Sequence, residues 1–188
     1  MKKNKKIKTL ICILSQTRAQ EITWKNFNHY VLKSLNADLA ICVAEKKNKN
    51  NQMYQNAKYI WKYKDIKDYS LYYENAQKKL IKQNNIKKKP NWKKLKKIKH
   101  FWLAGLKGTY KIRNNKGIYA KGSGGLLIYN RWFLLQKIIK HKLIDKYERF
   151  VITRSDFMWN IYHPKMENLS SNYIWIPDGE KYGGYTDR

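Results

Sequence analysis

Acid is scarce in this chain. Only 13 Asp and Glu stand against 41 Lys and Arg among 188 residues, a formal charge of +28. Such a surplus raises the question of a nucleic-acid partner. Yet arginine is scarce too, and the basic residues are overwhelmingly lysine, in company with abundant Asn, Ile and Tyr. That is the vocabulary of A/T-rich codons, so compositional drift accounts for most of the charge. Cysteine is limited to Cys12 and Cys42, each inside an apolar run, which excludes a disulfide scaffold and predicts two reduced, buried thiols. The four histidines are scattered without ligand spacing, so a zinc centre is not expected. No apolar run approaches the roughly 18 residues of a membrane span. The basic Met1–Lys8 and apolar Thr9–Leu14 mimic a signal peptide briefly, but Arg18 and Glu21 stand where a small-residue cleavage site belongs. They read instead as a basic tail entering a first strand, in a cytoplasmic protein. Gly-rich nucleotide fingerprints are missing after that strand, which argues against nicotinamide, flavin and P-loop chemistry.

What is present alternates. Thr9–Leu14 is a continuous apolar run of strand length, suited to a strand covered on both faces. Trp24, Phe27, Val31 and Leu35 recur at helical spacing, Asn36 suits the helix end, and Ala37–Val43 is a second buried strand. Strand, helix and strand in so short a span make a βαβ unit with parallel strands. Tyr54–Tyr63 fits a short helix or a strand equally. Tyr69, Tyr72, Tyr73, Ala76 and Leu80 predict another helix with Asp68 placed to cap it, and Leu126–Lys140 a further one. Arg149–Thr153 reads as a third buried strand and Tyr173–Ile176 as a fourth. The expectation is an α/β fold with a mostly parallel sheet flanked by helices: residues 1–8 a tail, 9–188 a single domain, with a Lys-rich insertion around 84–100.

In such sheets ligands bind at the carboxyl ends of the strands. Ser15-Gln-Thr-Arg18 follows the first strand and Arg154-Ser-Asp156 the third, so both belong on one edge of the sheet. The first offers hydroxyl and amide donors, the Arg18 charge and a helix N-terminus, a set suited to a nucleotide diphosphate, unless Arg18 merely pairs with Glu21. Asp156 is placed to hold Mn²⁺ or Mg²⁺ bridging two phosphates. After the fourth strand, Asp178, Glu180, Gly183, Gly184, Asp187 and Arg188 crowd together in the manner of an active-site loop.

Taken in order, S-Q-T-R before a Trp-bearing helix, F-V-I-T-R-S-D-F, and I-W-I-P-D-G-E-K-Y-G-G-Y-T-D-R resemble glycosyltransferase-like proteins of large DNA viruses and microbes with a GT-A nucleotide-sugar-binding fold. The likeness runs from about Leu10 to Arg188. It implies a glycosyltransferase moving a sugar from a UDP- or GDP-type donor to a glycan or protein acceptor. Ser15, Thr17, Arg18, Arg154, Ser155 and Asp156 would contact the donor, with Asp156 on an Mn²⁺ or Mg²⁺ ion. Asp178, Glu180 or Asp187 would act as catalytic base, with Gly183, Gly184 and Arg188 shaping the acceptor loop. One departure stands out: Arg154 occupies the first position of the family's Asp-x-Asp metal motif. Two alternatives stay open. One is a basic nucleic-acid-binding protein using Lys78–Lys99 with Trp92, Phe101 and Trp102 as stacking groups. The other is a catalytically inactive relative of the same fold.

Overall fold

A computed structural model describes residues 7–14, 16–44, 51–64, 70–87, 111–113, 119–121 and 124–177. Strand β1 (Thr9–Leu14) sits between β2 (Asp38–Val43) and β6 (Arg149–Thr153), and β3 (Tyr59–Lys62) lies outside β2; all four run parallel. The fold is therefore α/β, as the alternating pattern predicts. Successive strand residues point to opposite faces. Ile11, Ile13, Leu39, Ile41 and Val43 form one core with Phe27, Val31, Leu35, Met53, Tyr54 and Met166. Leu10, Cys12, Leu14, Ala40 and Cys42 alternate with the strand members of that core and are also buried. Both faces being covered is why β1 and β2 read as unbroken apolar runs.

Helix α1 (Gln20–Phe27) connects β1 to β2 and widens into a π-helical stretch over Asn28–Lys33. Asn36 ends it in the left-handed conformation at φ 46°, while the Ala37 N–H reaches back to the Leu32 carbonyl at 3.0 Å. Asparagine tolerates that backbone better than other non-glycine residues, so the terminator foreseen in the sequence is the one used. The ambiguous Tyr54–Tyr63 stretch holds both candidates: α2 (Gln52–Asn56), then β3.

Two expectations are corrected. Tyr173–Ile176 forms no strand; its residues are exposed, Ile174 at 92%, and the Trp175 indole donates to the Ser170 carbonyl at 3.0 Å. An apolar run becomes a strand only where a neighbouring ladder receives it, and none does so among the described residues. Nor is β6 fully buried: Ile152 is 46% exposed, because β6 borders the sheet among the described strands.

The chain divides into two compact units, Met1–Tyr63 with Lys137–Arg188, and Lys64–Gln136. The second is inserted within the first along the sequence. It contains helix α3 (Ser70–Gln83), the antiparallel pair β4 (Lys111–Arg113) and β5 (Tyr119–Lys121), and the larger part of α4 (Gly124–Lys140). Within it Tyr72 meets Tyr129 edge-on at 4.8 Å and Lys79 donates to Gln136. Asp68 and most of the Lys-rich stretch, including Trp92, lie outside the described residues, as do Phe101 and Trp102.

Candidate anion site at the strand ends

The order β3-β2-β1-β6 reverses direction at β1: the chain leaves β1 toward β2, whereas β6 arrives on the other side. Such a reversal opens a crevice at the carboxyl ends of the strands that flank it, here β1 and β6. Ile13 pairs with Thr153, so the segments after β1 and β6 emerge side by side. The structure brings the two predicted motifs together there. The Ser155 hydroxyl reaches the carbonyls of Gln16 at 2.8 Å and Arg18 at 3.0 Å. In return the Thr23 hydroxyl meets the Ser155 carbonyl at 2.6 Å and the Ala19 carbonyl at 3.0 Å.

These ties hold a strained turn. Ala19, which opens α1, adopts φ 55° and ψ 16°, the left-handed region that costs a residue with a Cβ roughly 1–2 kcal/mol. Thr17 accepts from the Asn51 amide at 2.7 Å, and Asn51 caps α2 through the Met53 N–H. Gln20 accepts from the Gln52 N–H, a second link between the starts of α1 and α2. Neither Asn51, Thr23 nor Gln20 stood out in the sequence. An Asn ahead of a five-residue helix was the one readable signal, and it fell within a Lys/Asn-rich loop.

The geometry sorts the expected donor contacts. Ser155 is 3% exposed and Thr17 7%, and both hydroxyls are engaged in holding the loop. In this arrangement they position the backbone. Arg18, Arg154 and Asp156 do reach solvent. Arg154 grips Asp156 with its planar fork, Nε to Oδ1 at 2.9 Å and Nη2 to Oδ2 at 2.6 Å. Arg18, its side chain 63% exposed, brings a second guanidinium to 3.5 Å from the same Oδ2. Glu21, the rival partner for Arg18, accepts instead from Gln20. The hydrogen bonds from Arg154 hold the Asp156 carboxyl below the usual range, its charge and that of Arg18 adding to the effect against partial burial.

That donor set does not fit a divalent cation. Both carboxylate oxygens of Asp156 already face guanidinium nitrogens, and a metal ion there would meet two fixed positive charges. Among the described residues no group of three His, Cys, Asp or Glu side chains converges. Arg154 and Asp156 form an ion pair instead. The cluster carries a net positive charge of one, the sign that suits an anion. Arginine is also informative here, since six arginines serve the whole chain and two of them stand at this crevice. Its fork matches phosphate oxygens in a way a lysine ammonium does not.

Ser15, Asp178, Glu180, Gly183, Gly184, Asp187 and Arg188 lie outside the described residues. No described helix is long and apolar enough to cross a membrane. No protein-family model, curated protein or solved structure matches the chain, so the chemistry of the site has to be argued from its geometry.

Proposed function

We propose that the chain is a glycosyltransferase whose strand-end crevice takes the diphosphate of a nucleotide-sugar. The observation that carries this reading is the meeting of two polar motifs, Gln16–Arg18 and Arg154–Asp156, across the reversal between β1 and β6, with two arginines at its mouth. A parallel sheet with positive charge at its switch point suits a nucleotide phosphate group. The sequence motifs supply the rest: a carboxylate among Asp178, Glu180 and Asp187 takes the proton of an acceptor hydroxyl. The acceptor oxygen then bonds to the anomeric carbon as the bond from that carbon to the diphosphate breaks. Guanidinium groups beside the departing diphosphate stabilise the charge it acquires.

Calorimetry of the full chain against a panel of UDP- and GDP-sugars tests the proposal. At least one nucleotide-sugar should bind and, with a suitable glycan or peptide acceptor, lose its sugar. A panel in which no nucleotide-sugar binds would remove the reading.

A further inference from the structure

We infer that the crevice holds its anion without a divalent cation, Arg18 and Arg154 taking the place of the metal, and that Asp156 is a positioning residue competing with the ligand. The inference deepens the proposed function and rests on it for the nucleotide part of the ligand.

Arg154 binds Asp156 through both Nε and Nη2, so the carboxylate fixes the plane of that guanidinium at the end of β6. Arg18 touches the same carboxylate through a single contact at 3.5 Å, too long for a hydrogen bond, and its side chain is largely in solvent. The two arginines are thus unequal. Arg154 is anchored, and Arg18 is loosely attracted to an anion the protein itself supplies. An incoming diphosphate offers several oxygens and at least two negative charges. Arg18 therefore moves from Asp156 to phosphate at the cost of one weak contact. Its backbone stays in place, because the Arg18 carbonyl is tied to Ser155. In this arrangement Asp156 weakens the field at the crevice, and removing its charge strengthens anion binding. Metal bridging demands the opposite sign, since there the same change removes a ligand.

The test is titration of the full chain with UDP, GDP and inorganic pyrophosphate, in EDTA and in excess Mn²⁺. The variants are Arg18→Ala, Asp156→Asn and Arg154→Lys, each checked for a native circular dichroism spectrum. Binding in EDTA as strong as in Mn²⁺ is expected. Arg18→Ala should weaken it about tenfold or more, in keeping with loss of one charge-assisted contact. Asp156→Asn should tighten it severalfold, and Arg154→Lys should weaken it. Nucleotide binding that appears only with Mn²⁺, or that Asp156→Asn abolishes, would overturn the inference while leaving the nucleotide-sugar reading standing. Pyrophosphate binding in EDTA that depends on Arg18, with no nucleotide bound under either condition, would uphold the cation-free site and remove the nucleotide-sugar reading. No anion bound under any condition overturns both.

Discussion

The two ends of the sheet each carry an aspartate in a polar cluster, and the clusters balance their charge differently. At the amino end Asp38 opens β2, accepting from Lys58 at 2.7 Å and from the Tyr147 hydroxyl at 2.6 Å. One hydrogen-bonded cation and one neutral phenol face this carboxylate, the Lys8 ammonium adds its charge from over the Tyr147 ring at 5.4 Å, and Tyr147 is itself buried beside Tyr59. The hydrogen bonds close on one another, as a structural cluster should. At the carboxyl end two guanidinium groups face Asp156 and one positive charge remains. The difference teaches where to look for a ligand. A carboxylate whose partners close on one another is part of the architecture; one met by two guanidinium groups at a strand-end reversal is a place where a further anion can be received.

Breaking the amino-end cluster should cost the most stability and leave the crevice untouched. Asp38→Ala strips the buried Tyr147 hydroxyl of its close acceptor, leaving only the Tyr59 oxygen at 3.4 Å, and Lys58 of its partner. A stranded buried donor costs about 1–3 kcal/mol, so a loss of about 2 kcal/mol is expected in urea unfolding. Pyrophosphate affinity in the same variant should match the parent. A parallel fall in affinity would show that the two ends are coupled and that the contrast drawn above is false. Ser155→Ala comes next. It removes the hydroxyl that ties the Gln16 and Arg18 carbonyls, at an expected cost of about 1 kcal/mol. Here affinity should also fall severalfold, because the Arg18 backbone loses its anchor. Stability lost with affinity unchanged would reduce Ser155 to a structural residue.

Much of this was open to inspection in the sequence, for definite physical reasons. β1, the start of α1 and β2 announce themselves because a doubly covered strand must be apolar throughout, and a half-covered helix must repeat its apolar residues at helical spacing. The position of the two motifs follows from strand polarity alone. The partnerships inside them do not. Arg154 and Asp156 lie two residues apart in a turn, a spacing that leaves open whether the side chains face each other or a metal ion. Pairing was settled only by the turn geometry after β6. The local partners of Thr17 and Ser155 were hidden too, because a hydroxyl at a strand end looks the same in sequence whether it faces solvent, a side-chain amide or a neighbouring carbonyl. Tyr173–Ile176 misled for a related reason: apolar alternation states a capacity for pairing, and pairing needs a second edge.

The smallest effects should be the most diagnostic, for the two clusters differ in the pH range over which they titrate. Asp38 and Asp156 both ionise below the usual carboxylate range. For Asp38 desolvation is the largest single contribution and opposes ionisation, but the hydrogen bonds from Lys58 and Tyr147 together with the charges of Lys58 and Lys8 outweigh it. Each lowered carboxyl contributes stability that is fully present above the unfolded value of about 3.9 and is lost as pH falls through the folded value. Both clusters therefore weaken in acid. Only the amino-end cluster has an alkaline limb. Burial and then the hydrogen bond to Asp38 push the Tyr147 phenol up, and Asp38 raises Lys58. Stability from groups raised in this way is intact below their unfolded values, near 10 for both, and drains away as pH rises through the folded values. Arginine does not titrate in this range, so the crevice has no counterpart. The buried Cys42, pushed up to about 12 by desolvation, adds its own alkaline loss, but equally in every variant. Urea midpoints measured from acid to alkaline pH should therefore show Asp156→Asn flattening the acid limb alone. Tyr147→Phe should flatten the alkaline limb, because its phenol is the group that ionises there. An alkaline change in Asp156→Asn would mean that Asp156 has a titrating partner besides its arginines, and the positive surplus assigned to the crevice would then be wrong.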